Sequence, residues 1–305
     1  MVFRKVKVRE TERGFLFRDR ELQRMLRPGT HWLVDPLFKS RVEVLSVRQP
    51  WVRTPNLDVI VKAGVLGDEA EVLNLGDSER ALVWIDGRFD AVLTPGLYAL
   101  WKVFHEVRVQ RVDARTVRFE HERLATILAS PTAKEALETV SIDVGRVGLF
   151  YENGRYRESL APGTHAFWKA VARVKVVDVD LREQVADVTG QEIVTADKVT
   201  LRLNAVVTYR VHDPVKATAE VEDYRQALYR EAQLALRAVI GTRELDALLT
   251  EKDRVSEELS GLVKAKTAAF GVEVTGLGIR DVILPGDMKD LLNKVTEAKK
   301  AATRR

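Results

Sequence analysis

The sequence predicts an α+β chain. Three tandem small antiparallel β-rich modules come first, the last continuing into a strand–helix–helix–strand unit and then a C-terminal helix. Three observations predict this. The dipeptide Pro-Gly recurs at 28–29, 95–96 and 162–163, a spacing of 67 residues both times. Around each recurrence lies the same series of strand and turn signals. Beyond residue 190 a long alternating strand gives way to helical spacing of apolar residues. The boundaries are 1–75 for the first module, 76–142 for the second, 143–284 for the third with its helical extension, and 285–305 for the start of the last helix.

The repeat extends beyond the dipeptide. Leu26, Leu93 and Leu160 stand two residues before each proline, and His31, Tyr98 and His165 follow it. Trp101 aligns with Trp168, Arg48 with Arg115 and Arg182, and Asp113 with Asp180. Asp86-Gly87 and Asn153-Gly154 are two-residue type I′ hairpin signals; Asp19-Arg20 holds the same place with a weaker one. A valine-rich strand follows each Pro-Gly, with apolar positions at 42/109/176 and 45/112/179. Three apart, they break the period of two and predict a β-bulge between them. Trp32, Trp51, Trp101 and Trp168 are expected in module cores or junctions. The connectors Thr54-Pro55-Asn56 and Ser130-Pro131-Thr132 read as turns.

In the extension, Val199, Leu201, Leu203, Ala205 and Val207 line one face of a strand that ends at Asp213-Pro214. Aspartate there caps a helix whose first residue is proline. One helix running to Gly241 would be ~40 Å long. Thr242 is placed to cap a second, with Leu245, Leu248, Leu249, Val255, Leu259 and Leu262 down one side, and Gly271 to end it before a returning strand. The closing residues Met288, Leu291, Leu292, Val295, Ala298 and Ala302 keep helical spacing.

The run from Ile193 through Asp213-Pro-Val-Lys-Ala, Val221-Glu-Asp-Tyr and Ile240-Gly, with the later Phe270–Met288, resembles the stomatin/slipin branch of the band 7 (SPFH) family, prohibitin-like proteins among its relatives. The likeness covers Gln191 to about Ala302. It implies a non-enzymatic, self-associating scaffold, commonly at a membrane, continuing into a coiled coil. Small tandem β modules before such a domain are also similar in layout, though not in motifs, to the major vault protein, which implies side-by-side packing into a ring or cage.

Composition narrows the chemistry. The chain has no cysteine, which excludes disulfides, thiolate metal sites and a cysteine nucleophile and fits a reducing, cytoplasmic setting. No signal peptide is evident, and no window approaches the ~18 apolar residues of a spanning helix. Residues 1–53 hold 13 basic and 6 acidic side chains, a surplus of +7 in a chain whose net charge is +4. That basic first module is the expected place for any peripheral membrane contact. Spread at strand spacing, the charges give no reason to expect nucleic acid.

His31, His105, His121, His165 and His212 have no helical i, i+4 pair. Neither Ser141 nor Ser159 lies in a nucleophile elbow, and Gly276-Leu-Gly278 enters a strand rather than a helix. Glu222-Asp223 and Glu257-Glu258 are sequence neighbours that do not face one site. No catalytic, cofactor-binding or metal residues are assigned. The expected partner is the chain itself, with an interface over Glu220, Asp223, Arg230, Glu231, Arg237, Glu251, Arg254 and Glu258. From the resemblance, a protease or membrane-protein complex is the alternative partner, and a soluble vault-like compartment the alternative assembly.

Overall fold

The computed structural model describes residues 3–35, 39–284 and 286. The strands of the N-terminal half are Phe3–Val8 (β1), Glu12–Arg18 (β2), Glu21–Leu26 (β3), Gly29–Val34 (β4), Ser40–Ser46 (β5), Ala70–Leu75 (β6), Glu79–Ile85 (β7), Arg88–Leu93 (β8), Gly96–Trp101 (β9), Val107–Asp113 (β10) and Arg118–Phe119 (β11). Short helices interrupt them at Leu57–Lys62 (α1), Leu124–Leu128 (α2) and Pro131–Ala136 (α3). There follow Leu137–Ile142 (β12), Arg146–Glu152 (β13), Arg155–Leu160 (β14), Gly163–Trp168 (β15), Val174–Asp180 (β16), Gln184–Val194 (β17) and Thr200–Val211 (β18). The last elements are Pro214–Ala219 (α4), Tyr224–Gly241 (α5), Leu245–Thr250 (α6), Lys252–Thr267 (α7) and Val272–Ile283 (β19). They form two compact units, residues 1–140 with 164–174, and 141–163 with 175–305.

In the first unit, three-stranded sheets β3-β2-β5 and β8-β7-β10 alternate with small ladders, β1-β4, β6-β9 and β11-β15-β12. Backbone φ is positive at both central residues of the tight hairpins, 49° and 72° at Asp19 and Arg20, 51° and 77° at Asp86 and Gly87. This is the type I′ geometry that matches strand twist. The bulge expected in the valine strands is absent from the first two. β5 pairs with β2 in unbroken register from Ser46 opposite Glu12 to Ser40 opposite Arg18, and β10 with β7 likewise. The irregularities fall within the hairpins instead, between Leu16 and Phe17 and between Val83 and Trp84.

The three-residue spacing has another cause: it puts successive apolar residues on opposite faces, and both faces are covered. Val109 packs with Leu73, Leu75 and Leu100, whereas Val112 packs with Leu82, Trp84 and Trp168. Each sheet is thus roofed by a later ladder. Phe15 and Phe17 of β2 meet Ala70, Ala99 and Trp101, with Ile60 of α1 closing the core. Leu82 and Trp84 of β7 meet Ala166 and Trp168, with Ile127 of α2 and Ala133 and Ala136 of α3. Trp101 is 0% and Trp168 1% exposed. An aromatic of this size removes roughly 150–250 Å² from water, on the order of 4–6 kcal/mol as an upper estimate.

The three short helices fall where the sequence suggested only connectors, and Ser130-Pro131-Thr132 is the start of α3 with proline at its first turn. Five or six residues are too few to show a period of 3.6. Trp32 also departs from expectation, lying 62% exposed.

The second unit holds the sheets β14-β13-β16 and β17-β18-β19. Asn153 and Gly154 repeat the type I′ hairpin, at φ 51° and 80°. In β18, Leu201, Leu203, Ala205, Val207, Tyr209 and Val211 are buried, as alternation requires. Leu228, Ala232, Leu236 and Val239 of α5 and Val255, Leu259 and Val263 of α7 pack on that face.

Two helices replace the single one expected from Pro214 to Gly241. Asp213 caps α4 by accepting from Lys216 N at 3.1 Å. Asp223 caps α5 by accepting from Arg225 N at 2.8 Å and Gln226 N at 3.2 Å, so the chain turns between them. Thr242 is the C-cap of α5 rather than the N-cap of the next helix, a place taken by Glu244; its hydroxyl donates back to Ala238 O and Val239 O. A second break at Glu251 separates α6 from α7 and rotates the stripe, leaving Leu249 and Leu262 exposed and Val263 buried. Gly271 ends this region at φ 70°, where a Cβ would run into the Asp213 carbonyl oxygen. The expected C-terminal helix over 285–305, and any coiled coil it begins, lies outside the described residues apart from 286.

Candidate self-association surface

Helix α5 has two faces of different character. Leu228, Ala232, Ala235 and Val239 turn inward. Outward stand Arg230, Leu234 and Arg237, at i, i+4 and i+7 on one stripe. Leu234 is 54% exposed. Among the described residues no ion pair is made by Arg230, Glu231 or Arg237. An apolar side chain flanked by two unpaired guanidinium groups has the composition of an interface anchor.

The remaining residues expected at an interface divide by location. Glu220 is the C-cap of α4 and Asp223 the N-cap of α5, so Asp223 is committed to its own helix. Glu251, Arg254 and Glu258 gather around a residue that sequence reasoning missed. Arg243, in the α5–α6 turn, reaches Glu258 at 2.5 Å and Glu251 at 3.7 Å, and Arg254 lies 3.8 Å from Glu251. This network holds the two helices together within one chain. Four acidic residues beside it are exposed and lack ion pairs among the described residues: Glu244, Asp246, Asp253 and Glu257. The signal for Leu234 was present: a leucine outside the buried stripe of an otherwise regular helix.

The start of α6 is held from across the unit. The Asp197 carboxylate accepts from Leu245 N at 3.4 Å and from the Thr195 hydroxyl at 2.5 Å. The Thr195 bond, helped by the Leu245 amide, keeps the Asp197 pKa below the ordinary carboxylate value against the opposing effect of desolvation. A groove of about 740 Å³ runs between β17 and α5. There Tyr209 OH donates to Gln184 Oε1 at 3.3 Å, and Arg225 Nη2 donates to the same oxygen at 3.2 Å. Burial raises the Tyr209 pKa, so the phenol stays protonated. Val185, 63% exposed, forms part of the groove lining.

Among the described residues there is no cluster of three or more potential metal ligands. No helix among them is long and apolar enough to cross a membrane.

A three-stranded sheet backed by α5 and α7, with Arg230, Leu234 and Arg237 turned outward, makes up the body of this domain. Residues 140–305, more than half of the chain, match the SPFH domain / Band 7 family. The chain belongs to that family, and its relatives place it in the stomatin-like branch. It is 44% identical over 126 residues to a stomatin homolog of Pyrococcus abyssi, covering 41% of this chain and 47% of that one. It is 34% identical over 126 residues to stomatin-like protein 3 of Mus musculus, covering 41% and 44%. An uncharacterized protein of Archaeoglobus fulgidus is 40% identical over 153 residues, covering 50% of this chain and 61% of its own length. The chain spans about half the length of the curated relatives it matches.

Proposed function

We propose that this protein is a stomatin-like, non-enzymatic scaffold that builds large homo-oligomeric rings or cages through its SPFH domain. The observation that carries this reading is the stripe of Arg230, Leu234 and Arg237, exposed and without ion pairs within the described chain. The same domain offers its counterpart in the acidic edge of Glu244, Asp246, Asp253 and Glu257. A basic patch meeting a different, acidic patch is a heterologous contact. Repeated around an axis, it closes a ring. In this scheme Glu231 borders the contact, while Glu251, Arg254 and Glu258 set the shape of the acidic edge.

We further read residues 1–75, 76–142 and 143–284 as three tandem β-rich modules, the third continuing into the SPFH domain, each three-stranded sheet needing the following element as its roof. The third is roofed by the helical extension, where Leu149 and Val179 pack with Val211 and Ala217. Such nearest-neighbour stacking favours a vault-like compartment among the possible assemblies. The basic first module supplies a peripheral contact with a membrane on the cytoplasmic side. Service as an adaptor of a protease or membrane-protein complex is the alternative partner reading.

Negative-stain microscopy of the purified chain tests the proposal. Closed rings or cages of uniform size are expected. Isolated particles of one chain each would overturn it.

A further inference from the structure

The ladder β1-β4 presents a face that differs from its counterpart. In β6-β9, Ala70 pairs with Trp101 and Val72 with Ala99, and this face roofs the sheet β3-β2-β5. In β1-β4 the matching pairs are Phe3 with Val34 and Lys5 with Trp32. Small and apolar residues have become lysine and tryptophan. Among the described residues nothing roofs this face: Trp32 is 62% and Val34 48% exposed, and Lys5 and Lys7 are exposed beside them. The Lys5 ammonium lies 5.6 Å from the Trp32 ring centroid.

We propose that this face docks on an anionic lipid bilayer, which deepens the peripheral membrane contact read above and rests on it. The face is built for that occupant. A flat centre of tryptophan and valine suits the headgroup boundary, where an amphipathic indole is favoured. Lysines on the same face reach anionic headgroups while their stems lie along apolar surface. The +7 surplus of residues 1–53 supplies the long-range attraction. Another protein sheet is a poorer fit. Where Ala99 approaches β2 closely, Trp32 would clash. Two such faces meeting directly would bring Lys5 and Lys7 of both chains together.

The test is flotation of the full chain with vesicles of phosphatidylcholine alone or mixed with phosphatidylserine, with the mass in solution followed by light scattering. Binding to the mixed vesicles only is expected. The double variant Lys5→Ala/Lys7→Ala should lower the partition coefficient about 25-fold, about fivefold per lysine at roughly 1 kcal/mol each. Trp32→Ser should weaken binding further without changing tryptophan-monitored unfolding of the rest. If the wild type floats with neither vesicle, the membrane reading falls as a whole. If it floats but the variants float equally well, only the assignment of this face falls. If the variants lower the mass in solution and leave flotation unchanged, the face is a contact between chains.

Discussion

Replacing Arg20 with glycine should stabilise the N-terminal unit. Arg20 occupies the second central position of its hairpin at φ 72°, where the equivalent hairpins carry Gly87 and Gly154. Holding an L-residue in the left-handed region costs roughly 1–2 kcal/mol. Glycine removes that strain but adds about 0.5–1 kcal/mol of unfolded-chain entropy. The balance favours Arg20→Gly by about 0.5–1 kcal/mol. Arg20 makes no hydrogen bond or ion pair among the described residues that would offset it. The assay is urea unfolding followed by tryptophan fluorescence. All five tryptophans, Trp32, Trp51, Trp84, Trp101 and Trp168, lie in that unit, so the signal reports it alone. At a typical slope of ~1–3 kcal/mol per M, the midpoint should rise by a few tenths of a molar unit. Gly87→Arg should lower it comparably. An unchanged or lowered midpoint for Arg20→Gly, with Gly87→Arg neutral, would refute the argument from turn geometry.

Further outcomes follow from single contacts. Gly271→Ala should destabilise the SPFH domain by about 2 kcal/mol or more, read by helical circular dichroism, because the methyl group meets the Asp213 carbonyl as well as an unfavourable φ. Asp223→Ala should cost about 1 kcal/mol of the same transition through loss of the α5 cap. Because Asp223 serves its own helix, this change should leave assembly mass unaltered. His105 donates from Nε2 to the Arg48 carbonyl at 2.9 Å and from Nδ1 to the Asp86 carboxylate at 2.8 Å, and these bonds raise its pKa above 6.5. Its contribution is therefore complete below pH 6.5 and lost as pH rises through the raised value. The melting temperature of the wild type relative to His105→Gln, followed by tryptophan fluorescence, should fall across that window; a difference independent of pH would contradict this.

The sequence was most legible where a local rule has a single outcome. Alternation placed Leu201, Leu203, Ala205 and Val207 on one buried face, and Asp86-Gly87 and Asn153-Gly154 gave the hairpins observed. It misled where two arrangements satisfy one pattern. Residues 214–241 have apolar spacing throughout, but Asp223 uses its carboxylate as a cap and splits the helix. Val109 and Val112 break strand alternation, which a bulge would explain, yet the sheet is simply covered on both faces. The surface was read by charge alone. That picked out Arg230 and Arg237 but also Glu251 and Glu258, whose partner Arg243 becomes adjacent only when α5, α6 and α7 fold together. Leu234 escaped because one exposed leucine leaves the amphipathic pattern intact.

The most direct test of the scaffold reading is the mass of the full chain at micromolar concentration, measured by light scattering with a charge-swap pair. The account predicts a mass many times the 34.4 kDa of one chain. Arg230→Glu/Arg237→Glu should dissociate the assembly, and adding Asp253→Lys/Glu257→Lys should restore it. A particle of 34.4 kDa for the wild type, or charge reversal without effect on mass, would contradict the account.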